Sequence, residues 1–234
     1  MASRAHNAHP KRRTNEGAEN YAKALYELQA RGENPVRTKA VAERLGVTAA
    51  SASGMLKRLA DEGVVDYAAY HGARLTPEGE RIALEVIRHH RLIELLLAEV
   101  LGMPWDQVHS EAEVLEHHIS EELEELIAAK LGQPVRDPHG DPIPDRDLEI
   151  TMEDSVPLND LEPGERGIFA RVSDSDSSML RYLAEREIQP GDRLLLRSRE
   201  PFGGPLMVEI AGHTHPLGSE LAESMRVHRE ASGE

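Results

Sequence analysis

The chain has 234 residues, no cysteine and a formal net charge of -15. That length allows one to two domains with a sizeable core, and the missing thiols exclude disulfides, thiolate zinc sites and cysteine nucleophiles. No apolar run approaches the roughly 18 residues of a membrane span, and the opening residues lack a signal peptide's apolar stretch, so a soluble, cytoplasmic protein is expected.

Residues 1–15 are polar, carry Lys11-Arg12-Arg13, and read as a disordered basic arm. A helix is expected over Glu16–Ala30, burying Ala18, Tyr21, Leu25 and Leu28. After Gly32 and Pro35, a short helix over Thr38–Leu45 turns Val41, Ala42 and Leu45 inward, with Gly46 as its left-handed cap. Thr48 is a good N-cap for a third helix, Ala49–Glu62, with Ala52, Met55, Leu56 and Leu59 apolar. Gly63 closes it, and Val64–Tyr67 and Gly72–Thr76 then read as two short strands joined by a turn at His71-Gly72.

Helix, short helix, glycine turn, helix and hairpin is the order of a winged helix-turn-helix. The third helix opens on the small polar residues Thr48, Ser51 and Ser53, which suit entry into a major groove. Lys57 and Arg58 follow as phosphate contacts, although an ordinary solvated helix face would also look like this. Arg37, Thr38 and Arg74 complete the candidate DNA-contacting set. Charge agrees with this reading. Residues 1–76 hold 12 Lys/Arg against 8 Asp/Glu, and the remainder holds 15 against 34. A basic lobe on an acidic body is compatible with DNA, since only the contacting surface must be positive.

Pro77 starts a long helix, Glu78 to about Leu101, whose apolar residues Ile82, Val86, Ile93, Leu96, Leu97 and Val100 cover more than one stripe. Gly102 and Pro104 break it, and Trp105, the only tryptophan, is expected to plug the junction. A further helix is expected from about Glu111 to Leu131, with Ala112, Leu115, Ile119 and Leu123 inward. Gly132–Leu158 is rich in Pro, Asp and Gly and reads as an irregular linker. From Leu161 the register becomes β, with strands over Gly167–Val172, Asp192–Arg197 and Leu206–Ile210 and a short helix over Met179–Glu187. The fold class expected is mainly α with a small β domain, the latter an SH3-like barrel.

The most informative run is His109-Ser-Glu-Ala-Glu-Val-Leu-Glu-His-His118. At about 100° per residue, His109, Glu113, Glu116 and His117 share roughly a third of a helix circumference. Upstream, His90 and Glu94 stand one turn apart in Arg88-His-His-Arg-Leu-Ile-Glu94. Two helices with His/Glu pairs at that spacing can converge on divalent ions, whereas either alone also fits an acidic helix with solvated side chains. No nucleophile with a base, Gly-rich phosphate loop or zincin motif appears, so catalysis is not expected.

With these elements in order, the chain resembles the diphtheria-toxin-repressor family of metal-dependent transcriptional regulators, on its manganese-responsive branch. The motifs are Asn20-Tyr21 through Tyr26-Glu27-Leu28, Ala42-Glu-Arg-Leu-Gly-Val47, the Arg88–Glu94 and Val108–Ser120 segments, and Arg136-Asp-Pro-His-Gly-Asp-Pro-Ile-Pro144. The tail is similar to the small FeoA-like domain of many members. The resemblance implies a winged-helix domain over 16–76, a helical metal-binding and dimerisation domain over 77–145, a linker over 146–160 and an SH3-like domain over 161–234. It also implies an activating site of Glu113, Glu116, His117 and Asn20, where Asn20 stands in place of the Asp or Met of typical members and Glu19 is a neighbouring substitute. An ancillary site of His90, Glu94 and His109 would be completed from the loop Ser173–Ser177 by Asp174 or Asp176. His118, His139, His213 and His215 are read as structural or surface histidines.

Glu113 stands where iron-sensing members carry Cys, which leaves hard oxygen donors plus imidazole and favours Mn(II), then Fe(II), over Zn(II). Co(II), Ni(II) and Zn(II) are expected as substitutes in vitro. The function implied is a homodimeric, metal-activated repressor on palindromic double-stranded DNA, controlling metal homeostasis genes. The alternatives are a carboxylate-bridged di-metal enzyme or metal store, and a regulator of the same DNA-binding half that senses an organic ligand.

Overall fold

A computed structural model describes residues 15–151 and 153–230, so the expected arm lies, but for residue 15, outside the described residues. The chain divides into two compact units, Met1–Val86 and Ile87–Glu234.

In the first unit, α1 (Glu16–Ala30) is capped by Asn15, whose side chain accepts from Ala18 N at 2.8 Å. Helix α2 (Thr38–Arg44) ends at Gly46, φ +64°, and α3 (Ala49–Asp61) starts under the expected Thr48 cap. Strands β1 (Val65–Ala68) and β2 (Gly72–Leu75) pair antiparallel, Val65 opposite Leu75 and Ala68 opposite Gly72. An added bridge from Val36 to Ala73 seats the start of α2 on the wing. It also dictates a glycine, because a Cβ at Gly72 (φ +99°) would lie 2.5 Å from the Val36 carbonyl oxygen. Leu25, Val41, Ala52, Leu56, Leu59, Val65 and Ala73 form the core, closed by Ile82 and Ala83 from the start of α4 (Pro77–Leu95).

In the second unit, α4 gives way to a π-helical turn over Leu96–Val100, correcting the expectation of α-helix to Leu101. Val100 and Leu101 are consequently exposed. The helix expected over Glu111–Leu131 is two, α5 (Val108–Leu115) and α6 (Glu121–Lys130). Ser120 causes the second start: its side chain accepts from Leu123 N at 3.2 Å, ahead of Glu121, Glu122 and Glu124 at the positive helix end. The break also turns Leu115 and Leu123 outward, against expectation.

The described residues of 132–155 form no regular strand or helix, as expected, although the expected linker ends in a strand at Val156–Pro157, and they are no mere spacer. Asp137, His139 and Ile143 are buried, and Val172 N donates to His139 O at 3.0 Å. The approach is close enough that a Cβ at Gly140 (φ +90°) would meet the Ala170 carbonyl oxygen at 2.1 Å.

The remainder is the small β domain: β3 (Val156–Pro157), β4 (Arg166–Val172), α7 (Ser177–Ala184), β5 (Arg193–Arg199), β6 (Leu206–Ile210), β7 (His213–Leu217), α8 (Ser219–Ser224) and β8 (Met225–Arg229). Its sheet runs β3-β8-β4-β5-β6-β7, every neighbouring pair antiparallel, around Phe169, Leu180, Leu196 and Val208. Trp105 packs against this core, as a junction plug should.

Candidate metal centre and nucleic-acid interface

Helix α4 presents His90 and Glu94 from adjacent turns, both buried, with Nε2 and Oε1 3.0 Å apart. Helix α5 presents His109 and Glu113 in the same way, 3.7 Å apart. The two helices meet edge to face through their imidazoles, whose centroids are 4.9 Å apart. His109 Nδ1 lies 3.3 Å from Glu94 Oε1 and 3.0 Å from Asp174 Oδ2, which the loop after β4 supplies. His90, Glu94, His109 and Asp174 thus bring one donor atom each within 4.8 Å of one another.

Two further groups share members with this one. His90, Glu113 and Glu116 form the first, with His90 Nδ1 in short contact with Glu116 Oε2 and 4.0 Å from Glu113 Oε1. His117 Nε2 stands 3.5 Å from Glu116 Oε1. His90 therefore faces the carboxylates of the expected activating site as well as those of the ancillary one. The second group is Glu94, Asp137 and His139, all buried. Neither Asp137 nor His139 was expected as a ligand, and His139 is 0% exposed. The spacing Asp-Pro-His within an irregular segment has no helical or strand period to place it, so only the fold reveals it.

Glu94 sits at the junction of these groups. Burial works against its charge, but His90, His109 and His139 hold its carboxyl well below the usual range. For His109, burial favours the neutral ring, yet Asp174 and Glu94 raise its pKa to about 10. Burial and Glu94 oppose each other in the same way at His139, which is raised to about 9 with help from Asp137 and the Trp105 carbonyl. Asp174 is driven down to about 2, because His109 outweighs burial. Asp137 goes the other way, to about 8, through burial and then the charges of Asp141 and Glu94.

The donor set fits a divalent ion. It consists of carboxylate oxygens and imidazole nitrogens without sulfur, and it serves Mn(II) or Fe(II) better than a soft metal. Glu94 Oε2 and His139 Nδ1 are buried without a hydrogen-bond partner among the described residues, and they face each other across 3.6 Å. Buried polar atoms left in that state call for an ion or water.

Within the second unit, not every candidate joins the cluster. Asp176 caps α7, its Oδ1 accepting from Ser178 N at 2.8 Å and Ser178 Oγ at 2.6 Å. Asn20 and Glu19 lie half-buried on α1 in the first unit. His213 and His215 are surface residues of β7, as expected.

On the first unit, Arg37, Thr48, Ser51, Lys57 and Arg74 are exposed. Thr48 and Ser51 are partly occupied with each other, Oγ1 to Oγ at 2.9 Å. Ser53 is half-buried and shares a 3.0 Å hydrogen bond with the Tyr67 hydroxyl, which also ties in Thr38. These two hydroxyls therefore brace α2 and α3 against the wing. Arg58 pairs with Glu62 at 2.8 Å, one turn on.

Comparison with known proteins covers almost the whole chain. Residues 13–73 match the iron dependent repressor N-terminal DNA binding domain, 76–145 the iron dependent repressor metal binding and dimerisation domain, and 156–229 the FeoA domain. The diphtheria toxin repressor of Corynebacterium diphtheriae is 36% identical over 224 residues, covering 89% of this chain and 95% of that one. The iron-dependent repressor IdeR of Mycobacterium tuberculosis H37Rv is 30% identical over 225 residues, covering 90% and 96%. A solved manganese-dependent transcriptional repressor in complex with manganese is similar at a TM-score of 0.85 and 42% identity, covering 91% of this chain and 100% of that one. The manganese regulator SloR follows with a TM-score of 0.73 and 31% identity, over 91% and 98%.

Proposed function

Because this chain belongs to the iron-dependent repressor family, and is thereby a metal-responsive DNA-binding transcriptional repressor and not an enzyme, we propose that it works as a Mn(II)-activated homodimer. The observation that carries the choice of ion is the sulfur-free donor set around His90 and Glu94. The likeness to a manganese-dependent repressor at 42% identity supports it. Fe(II) is the competing ion. The di-metal enzyme or metal-store alternative does not hold in a family of repressors, and it lacks the four long helices it needs.

Glu113, Glu116 and His117 would hold the activating ion, with His90 beside them and Asn20 contributing from α1. Glu94, His109 and Asp174 would hold a second ion, joined by Asp137 and His139. A bound divalent ion supplies the positive charge that clustered carboxylates need to stay together. Asn20 then ties the DNA-binding domain to the metal-binding domain, and the α3 helices of two copies come to lie about 34 Å apart, one DNA turn. Metal and DNA tighten each other's binding by the same factor, as linkage requires.

In this reading residues 16–76 contact DNA, 77–145 bind metal and dimerise, 146–160 connect, and 161–234 form the SH3-like domain. Val100, Leu101, Val114, Leu115, Leu123 and Leu126 are large apolar side chains exposed in the second unit, and a second copy would cover them. Two-fold symmetry implies a palindromic operator. Metal homeostasis genes are the proposed targets and the cytoplasm the proposed location, in keeping with the lack of any long apolar helix among the described residues.

The test is a duplex selected from a random pool by the protein in Mn(II). Its affinity is then measured by fluorescence anisotropy with Mn(II), Fe(II), Co(II), Ni(II), Zn(II) and chelator. Tight binding in Mn(II) and weak binding in chelator is expected. Equal affinity in both would remove metal activation, and activation by Fe(II) alone at matched occupancy would reverse the choice of ion.

A further inference from the structure

Beside the metal cluster lies a second buried polar chain, outside the ligand set assigned above. His89 follows Arg88 on α4, and both are buried with Glu124 of α6. His89 Nδ1 donates to the backbone carbonyl oxygen of Glu116 at 3.0 Å. Its Nε2 lies 2.9 Å from Glu124 Oε2, an ion-pair contact without hydrogen-bond geometry. Arg88 Nε donates to the other oxygen of Glu124 at 2.5 Å, and Arg88 Nη1 to the Pro144 carbonyl at 2.5 Å. Burial opposes the Glu124 charge, but His89 and Arg88 together bring its pKa below the usual value.

The placement of the two ends matters. Glu116 caps α5 and opens the turn that separates it from α6, and its side chain points to His90 while its carbonyl points to His89. Glu124 sits on the inward face of α6 with Ile127 and Ala128, while Leu123 and Leu126 of the same helix are exposed. A helix moves as a rigid body, so a shift at Glu124 is a shift of Leu123 and Leu126. One ring, His89, spans from the Glu116 carbonyl in the turn of residues 116–120 to Glu124 on α6.

We infer that His89 is a positioning residue that links the Glu116 metal ligand to α6 and so couples metal occupancy to pairing with a second copy of this chain. The inference rests on the metal-activated homodimer proposed above. When Glu116 is drawn toward an ion, its carbonyl carries the His89 ring, and the ring sets Glu124 and the apolar face of α6. Without this link the metal site and the pairing face act independently. Partners behind a metal ligand commonly change affinity about tenfold or more when removed, so an effect of that size is expected.

The test is the monomer–dimer constant by sedimentation velocity, with chelator and with saturating Mn(II), in the full chain. The readout is the ratio of the two constants. His89→Asn keeps a donor near Nδ1 and loses the reach to Glu124, while Glu124→Gln weakens the same contact from the other side. In both, the ratio should fall toward one from a wild-type value of about tenfold. A packing role alone would lower the melting temperature and weaken the dimer equally in both conditions, leaving the ratio unchanged; that result, in either variant, overturns the inference. A wild-type dimer indifferent to Mn(II) also overturns this coupling, whereas the metal-activated repressor itself stands or falls on the duplex-affinity test above.

Discussion

The two units of this protein bury different things. Among the described residues, the only charged side chain buried in the first unit is Lys23, and its core is otherwise aliphatic and aromatic. The second buries Arg88, His89, His90, Glu94, Glu116, Glu124, Asp137 and His139. An apolar core needs only to exclude water, but a buried charge needs a partner and is strongly destabilising without one. The first unit therefore has little buried charge to balance. The metal-bearing unit stays balanced only while its charges are matched, by protons when metal is absent and by an ion when it is present. Such a contrast between a fixed reader and a conditional sensor is what a switch requires.

The hardest test of this contrast is Glu94→Ala. It leaves His90, His109 and His139 without their shared carboxylate and should destabilise the second unit by about 3–5 kcal/mol. Hydrogen exchange should show the loss in α4 and α5, and added Mn(II) should not restore protection. A cavity substitution in the first unit, Leu56→Ala, should cost about 2–5 kcal/mol whether or not Mn(II) is present. If Mn(II) restores protection in Glu94→Ala, or if the loss in α4 and α5 is absent, the two units do not differ as argued.

Acidity sharpens the same point. At pH 7 His109, raised to about 10, and His139, raised to about 9, carry protons, as does Asp137 at about 8. Ligation requires neutral rings and ionised carboxylates. Binding at pH 7 must therefore expel protons, so Mn(II) affinity should rise with pH and level off only above about 8–10. A titration in weak buffer with an indicator dye measures the release, and an affinity flat between pH 6 and 9 would contradict it.

A smaller effect is expected on the DNA face. Lys57→Ala should weaken binding to every duplex and reduce the slope of log affinity against log salt by about one. Arg58→Ala should do less, because its guanidinium is already shared with Glu62. Equal salt slopes in wild type and Lys57→Ala would remove this helix from the phosphate backbone. The smallest change concerns Asn20→Asp, which should tighten Mn(II) by a few-fold, since an anion serves a hard cation better than an amide dipole. Operator affinity at saturating Mn(II) should stay the same. Unchanged Mn(II) affinity would take Asn20 out of the ligand set.

The contrast also governs what could be read from residue order. The first unit follows its apolar periodicity closely: α1 has the bounds expected, Gly46 ends α2 and Thr48 starts α3 as their chemistry dictates. Helical spacing pairs His90 with Glu94 and His109 with Glu113, but joining His90, Glu94 and His109 to Asp174 or Asp176 came only from the family resemblance. The fold brings Asp174 to them and leaves Asp176 as a helix cap. The break at residues 116–120 was missed because no Gly or Pro marks it, although Ser120 before an acidic run was a usable sign. Strand β7 was missed because His213, Thr214 and His215 lack apolar alternation, whereas Met225 and Val227 of β8 do alternate and deserved notice. Asp137 and His139 could not be placed, since a segment without a repeat acquires its neighbours only through tertiary packing.

One contact gives the molecule an optical reporter. The indole of Trp105 stacks on the imidazole of His139 with centroids 5.6 Å apart, and His139 Nε2 lies 2.9 Å from the Trp105 carbonyl oxygen. A protonated imidazole against an indole is an efficient acceptor for its excited-state electron, and a neutral ring is a poorer one. Since the chain has one tryptophan, light that excites indole but not its five tyrosines reports on this stack alone. Light emitted from Trp105 thus reads whether His139 holds a proton, without a dye, a label or a second protein.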